Sequence, residues 1–526
     1  MRFLFYILFL LTFFQCKPDL TAIRSPESIT LHLPNDPIIL NPLLSSDAYS
    51  NQVIARIYST LIRRNPETLE FEGELAETWS VSKDLKKITF KVRKDFFFHD
   101  GEAVTVDDIL FTYSKIMDPK VPNPHMKVYF KDVESLKKTG NYEVTFTMKK
   151  PYFKSLEILG GFEILPEHIF ANVDDFLSND YNRKTPIGSG QYKFSEWRTG
   201  QKLVLEQFEQ YAGKKNVIKK IIFRIIKNNT VALQSLKKRN LDMLNLQPFQ
   251  WTRQTASDKF QASFQKIKYL GTGYNYVGYN TRRYPFNKKE VRQAMAYLIN
   301  REKVRDTLLE SLAEITTGNF WIRSPQYNKA LLPRQFNPLK AEALLIKAGF
   351  TRPENKGLWQ YKGEDFQFEL LIPSSSSFYE QFSAVVQQDL QKIGIKMEIR
   401  KVDFQLLVEK INQRDFTAIM LGWSTPIESD PFQLWHSSQL KSGHNFTGFS
   451  TARMDQIIEQ TRQISDSKKR NKLYQEFHQI LYDNQPYTFL YTRYNLAAVS
   501  KKFQNVEVYQ AGLDMDRWVF SQAFTE

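Results

Sequence analysis

A chain of 526 residues is long enough for more than one domain, and 42% hydrophobic with 25% charged residues is the balance of an ordinary globular protein. The formal net charge is +15, yet the lysines fall in scattered pairs such as Lys86-Lys87, Lys137-Lys138 and Lys237-Lys238 rather than in a long basic tract. That argues for a solvated surface, at most resting near anionic headgroups, and against a nucleic-acid partner; the single cysteine excludes an intramolecular disulfide.

The first element is Arg2 followed by the apolar run 3–14, broken only by Thr12. It is too short for a comfortable membrane span and fits a signal-peptide core. Cys16 stands directly behind it. This position resembles the lipidated first residue of a bacterial lipoprotein, with residues 1–15 removed as signal, although Phe13, Phe14 and Gln15 depart from the usual leucine and small residues. The other reading is an ordinary secretory signal followed by an incidental cysteine. No later stretch has eighteen consecutive apolar residues, so no second anchor is expected.

Between Phe71 and Pro119 a strand, a turn and a capped helix follow in quick succession. Ile88, Phe90 and Val92 alternate with Thr89, Lys91 and Arg93, the period of a half-buried strand. His99-Asp100-Gly101 supplies turn chemistry, with the His99 hydrogen bond expected inside that turn. Thr105-Val106-Asp107-Asp108 fits a capping box, and Ile109, Phe111 and Ile116 follow before Pro119. Tyr192 and Phe194, then a turn at Arg198-Thr199-Gly200, then Leu203 and Leu205 predict a hairpin. Val291, Ala294, Met295, Leu298 and Ile299 share one helical stripe. Asn337 before Pro338 reads as an N-cap with proline at the first helical position, and Gly349 as the matching stop. A strand at 366–372, a helix at about 378–392, a strand at 395–402, and a second helix and strand ending at Trp423 predict an open sheet with crossover helices. Ligands in such sheets bind beyond the C-terminal strand ends, where Trp423 lies. With 41 Phe and 25 Tyr, both a well-filled aromatic core and an aromatic-lined cavity are open.

Several blocks carry a resemblance. They are Leu75-Ala76-Glu77 with Trp79; Phe98-His99-Asp100-Gly101 and Thr105 to Tyr113; Ile39-Leu40-Asn41-Pro42 with Asp47 and Val53 to Leu61; and Pro186 to Phe194 with Trp197 and Gly200. Further on come Tyr279-Asn280-Thr281, Pro285-Phe286, Val291 to Ala294 and Ile299 to Glu302, then Gly422-Trp423, Asp430-Pro431-Phe432 and Asn445 to Phe449. Taken in their order along the chain, they resemble family 5 extracellular solute-binding proteins, the peptide/nickel receptors of ABC importers, from about residue 30 to about 500. The resemblance implies an α/β fold of the periplasmic-binding-protein type II kind, two lobes closing over a cleft. Residues 26–46, 187–270 and 493–526 would form the discontinuous first lobe, 47–186 an extra subdomain on it, and 271–492 the second lobe. It also implies a ligand site at Trp423, Ser424, Thr425, Asp430, Phe432, Asp47 and Tyr49. The ligand class it implies first is an oligopeptide, with nickel chelate, haem, an opine or a saccharide beside it. The partners implied are ABC permease subunits, and the membrane through the N-terminal lipid, with the protein a monomer facing away from the cytoplasm.

No HExxH, phosphate-binding Gly-Lys-Ser/Thr loop, GxSxG or metal-spaced cysteine pair is present. Gly188-Ser189-Gly190 lacks the helix start that a phosphate loop needs. No enzyme, cofactor or bound metal is expected, and a secreted hydrolase or a surface adhesin would be the readings of another class. His436 and His444 are near each other in sequence, as a metal pair or as loop structure. Trp423 is core or a flat ligand wall. Asp430 is a cap before Pro431 or a cleft carboxylate. One departure bears on it: peptide receptors of the family often carry Asp three residues after the tryptophan to hold the peptide ammonium, and here Pro426 fills that place, leaving Asp430 as the candidate substitute.

Overall fold

The structure is a computed structural model and describes residues 27–522 apart from 46, 355, 356 and 442. The signal segment expected over 1–15, and Cys16 with it, lie outside the described residues.

Three large sheets carry the architecture. The first has eight strands, in the order Phe264–Leu270, Tyr491–Ser500, Met243–Asn245, Ser28–Leu33, Lys220–Ile225, Lys202–Gln207 and Tyr192–Arg198, with Ala313–Ile315 paired to the start of Tyr491–Ser500. Ser28–Leu33 runs parallel to Lys220–Ile225 in a register that sets Ile29 against Ile221 and Leu31 against Phe223, so their apolar side chains share a face.

A four-stranded antiparallel sheet, Ala76–Val81, Lys87–Val92, Glu143–Met148 and Val133–Gly140, forms a second unit. Ile88, Phe90 and Val92 are buried, and Phe90 meets Phe146 edge to face with centroids 6.1 Å apart. Helix Val106–Met117 packs beside it. Its N-terminus carries the capping box, with Asp108 Oδ2 accepting from the Thr105 backbone at 2.8 Å. This unit shares one continuous apolar core with the first sheet, from Ile29 through Phe90 and Phe146 to Ile221 and Trp518. His99 joins the two, and here the expectation of a bond within its own turn is corrected. Its Nε2 donates to Gly190 O at 3.0 Å, and its Nδ1 accepts from Gly188 N at 3.4 Å. The glycines are required by close approach, since a Cβ on Gly188 would lie 2.2 Å from Ile57 O and one on Gly190 2.6 Å from Arg56 O.

The third sheet has the order Lys396–Val402, Gln367–Pro373, Ala418–Trp423, Tyr274–Tyr279 and Tyr487–Phe489. Gln367–Pro373 is parallel to both of its neighbours, and the helices Ser377–Lys392 and Phe404–Asn412 make the connections. Tyr274–Tyr279 is antiparallel to both of its own. The pleat sorts its side chains: Val277 and Tyr279 join one core with Phe366 and Phe368, while Tyr274 and Tyr276 join another with Trp435 and Tyr487. Tyr276 and Tyr487 stack at 3.9 Å.

Among the described residues, two short segments join consecutive strands of the first and third sheets. One is Gly271-Thr272-Gly273, between Phe264–Leu270 and Tyr274–Tyr279; the other is Leu490, between Tyr487–Phe489 and Tyr491–Ser500. Each bonds to the strand that follows the other, Gly271 N donating to Arg493 O and Leu490 N to Asn275 O, both at 2.9 Å. A second contact forms a clasp. Phe153, beyond the four-stranded sheet, donates its backbone N–H to Arg462 O at 2.9 Å, and its ring lies under the Arg470 guanidinium at 4.2 Å. Lys154 Nζ donates to Glu428 O at 3.0 Å.

Candidate functional site

The crossing segments meet the end of Ala418–Trp423, and three glycines let the backbones come together. A Cβ on Gly273 would stand 2.7 Å from Trp423 O, one on Gly422 2.9 Å from Asn275 Nδ2, and one on Gly271 3.0 Å from Arg493 O. Beside them is a cavity of about 320 Å³ lined by Gly271 to Asn275, Gly422, Trp423, Ser424, Arg493 and Asn495. A neighbouring cavity of about 490 Å³ shares Gly271, Thr272 and Asn495 and extends to Trp321, Arg323 and the turn at 508–512. Residues of the first sheet and its C-terminal extension thus lie beside residues of the third around two adjoining hollows. Trp321, in the larger of them, donates Nε1–H at 3.0 Å to the O of Gly271, which lines both.

The lining is cationic. Its charged residues are Arg323 and Arg493, and no aspartate or glutamate is among them. Arg493 is half-buried, with its guanidinium 4.5 Å from the centroid of Phe378. Among the described residues no carboxylate lies within 4 Å of it. Burial pulls its pKa below the ordinary arginine value. Close by, Asn275 Nδ2 donates to the Tyr379 hydroxyl at 3.0 Å, and burial raises the Tyr379 pKa.

The structure brings together only part of the set expected from sequence. Trp423 and Ser424 line the cavity, Trp423 half-buried with its ring 6.3 Å from that of Phe446. Thr425 is buried and donates its hydroxyl to Thr272 O, pinning the loop after Trp423 to the crossing. Asp430 is elsewhere and already engaged. Its side chain is 6% exposed; it pairs with Arg462 Nε at 3.1 Å, accepts from Tyr152 OH at 2.8 Å and caps Phe432 N at 3.0 Å. Phe432 lies with it, 4.6 Å from His436 and under Arg462 at 4.5 Å, in a separate hollow of about 300 Å³ at the clasp. Asp47 caps helix Ala48–Ile57 through Tyr49 N and Ser50 N, and Tyr49 packs on the first core, so neither lines the cavity. His436 sits near Asp455 and Glu459, whereas His444 stacks by Trp423. Among the described residues no group of three or more His, Cys, Asp or Glu is placed to hold a metal ion, and no helix is long and apolar enough to cross a membrane.

A larger hollow, about 610 Å³, lies on the rim of the four-stranded sheet. Four of its charged residues pair with one another, Lys91 with Glu77 at 2.8 Å and Arg93 with Asp95 at 2.7 Å, and its fifth, Lys94, lies over the Tyr142 ring at 4.8 Å. The residues missed from sequence are therefore Arg493, Trp321 and Asn275. Gly271-Thr272-Gly273 was a visible signal for the crossing; Arg493 sits in a strand with no local motif.

Residues 70–445 match the family model described as "Bacterial extracellular solute-binding proteins, family 5 Middle". The chain is 31% identical over 482 residues to the oligopeptide-binding protein AppA of Bacillus subtilis, covering 90% of this chain and 87% of the relative. It is 26% identical to the nickel-binding periplasmic protein of Escherichia coli, covering 90% of each. The solved structure of the Bacillus subtilis AppA in complex with a nonapeptide superposes with a TM-score of 0.83 at 28% identity, covering 94% of this chain and 99% of the other. The two-lobed α/β fold and the matched residues together place this chain in family 5 of the bacterial extracellular solute-binding proteins.

Proposed function

We propose that the protein is the substrate-binding component of an ABC importer, tethered by lipid on Cys16 to the outer side of a bacterial membrane, and that it takes oligopeptides by closure of its lobes. The observation that carries this reading is the hollow at the crossing. Residues from both sheets line it, two short segments among the described residues join consecutive strands of those sheets beside it, and a ligand seated there gains contacts from both sides only when they approach. The oligopeptide-binding relative, at 31% identity over nine-tenths of the chain, supports the ligand class. Family membership supports a receptor role without a covalent step.

Closure has a direct test. Saturating peptide is expected to shrink the radius of gyration in small-angle scattering, to change Trp423 fluorescence and to raise the melting temperature. Ligand at a hundred times Kd stabilises the folded state by about 2.7 kcal/mol. A peptide pool that moves none of these would point to the adhesin reading.

The lipid tether is tested separately. Cys16→Ser is expected to move the protein from the membrane to the soluble fraction. Unchanged detergent partitioning, with no diacylglycerol mass on the N-terminal peptide, would remove the tether from the proposal.

A further inference from the structure

We infer that the site recognises its ligand through a carboxylate bound by Arg493 and makes no demand for a ligand amine. This deepens the peptide reading above and rests on it for the location of the site. The electrostatics are those of an anion site. Arg493 is a half-buried cation lining the cavity with no carboxylate within 4 Å among the described residues, and Arg323 adds a second positive charge to the adjoining hollow. A buried cation keeps its desolvation cost until a counter-charge arrives, and a guanidinium offers a planar fork that matches a carboxylate. The Tyr379 hydroxyl accepts from Asn275 and donates to no described group, which leaves its proton for a ligand oxygen beside Arg493. Trp423 supplies the flat wall.

An ammonium, by contrast, has nothing to meet. Pro426 stands three residues after Trp423, the cavity lining has no acid, and Asp430, the candidate the sequence suggested, lies elsewhere and is neutralised by Arg462 inside the clasp. An amine placed beside Arg493 would face like charge.

The experiment is calorimetry on the full chain after denaturation and refolding, which strips carried ligand. Four probes are compared: trialanine, N-acetyl-trialanine, N-acetyl-trialanine amide and citrate. Trialanine and its N-acetyl form are expected to bind alike, and the amide about tenfold or more weaker, as for loss of one partner of a buried charge pair. Arg493→Gln should erase the difference between acid and amide, and Arg493→Lys should restore part of it. A merely structural role for Arg493 would shift all peptides equally; the ligand-free melting temperature of each variant checks folding. Equal binding of acid and amide overturns the inference while leaving the peptide reading intact. Arg493-dependent binding of citrate with no peptide bound supports the inference and removes the peptide reading. No binding of any probe overturns both.

Discussion

Asp430→Asn is expected to lower the free energy of unfolding by about 3–5 kcal/mol, because it strands Arg462. The Arg462 side chain is 16% exposed, and among the described residues Asp430 is the one carboxylate within 4 Å of it. The Arg462 guanidinium also lies over Tyr152 at 4.4 Å and Phe432 at 4.5 Å, so it cannot simply swing into water without giving up both contacts. Asparagine keeps an oxygen for Phe432 N but loses the charge. The Tyr152 hydroxyl, held by Asp430 across the clasp, is weakened at the same time. Urea unfolding gives the stability. Calorimetry with a free-amine peptide and its N-acetyl form gives the second arm, and the ratio of the two affinities should not change. Were Asp430 the ammonium anchor that the sequence offered, the substitution would leave stability nearly untouched and abolish discrimination between the two peptides.

Acid is expected to unfold the protein through two histidines. His478 is fully buried, its Nδ1 accepting from Asn328 N and its Nε2 bonded to Thr317 Oγ1, both at 3.1 Å. Desolvation pushes its pKa down to about 4, and that of His99, which accepts from Gly188 N, to about 4 as well. The sign follows from proton uptake. The unfolded chain protonates both rings near the ordinary value of about 6.5, and the folded chain does not until pH reaches about 4. Their stabilising contribution is full above about pH 6.5 and is lost progressively as pH falls towards 4. For His478 the loss is on the order of 3 kcal/mol. Urea midpoints at pH 7.5, 6.0 and 4.5 should fall steadily, and the two ring C–H resonances should stay in their neutral positions down to about pH 4. Titration of both rings near 6.5 would show that neither is held neutral by the fold.

The local architecture was legible because its signals are short-range. The capping box at Thr105 and Asp108, the Asn337 cap with Pro338 behind it, and the turn at Gly200 each need only neighbours in sequence, and each forms. Gly349 ends its helix at φ +87°, the left-handed conformation that glycine takes without strain. The alternation of strand and helix between 366 and 423 likewise shows in the spacing of apolar residues. What was not legible depends on partners far along the chain. Tyr274–Tyr279 enters the third sheet antiparallel between Ala418–Trp423 and Tyr487–Phe489, and nothing in its own residues names those partners. Asp430 shows the same limit at the site. Its cap role before Pro431 could be read locally, but its commitment to Arg462 and Tyr152 could not, and that commitment decides its chemistry. Arg493 was invisible for the converse reason: its significance is that no carboxylate among the described residues faces it, which only the assembled cavity displays.

Native mass spectrometry of the protein purified without denaturation tests the central claim, capture of a small solute between two lobes. The expected result is one non-covalent adduct per chain, of peptide size, released on unfolding and gaining the mass of a methyl ester for each free carboxylate after esterification. The bare chain mass alone, both from cells and after incubation with a pool of short peptides, would contradict it.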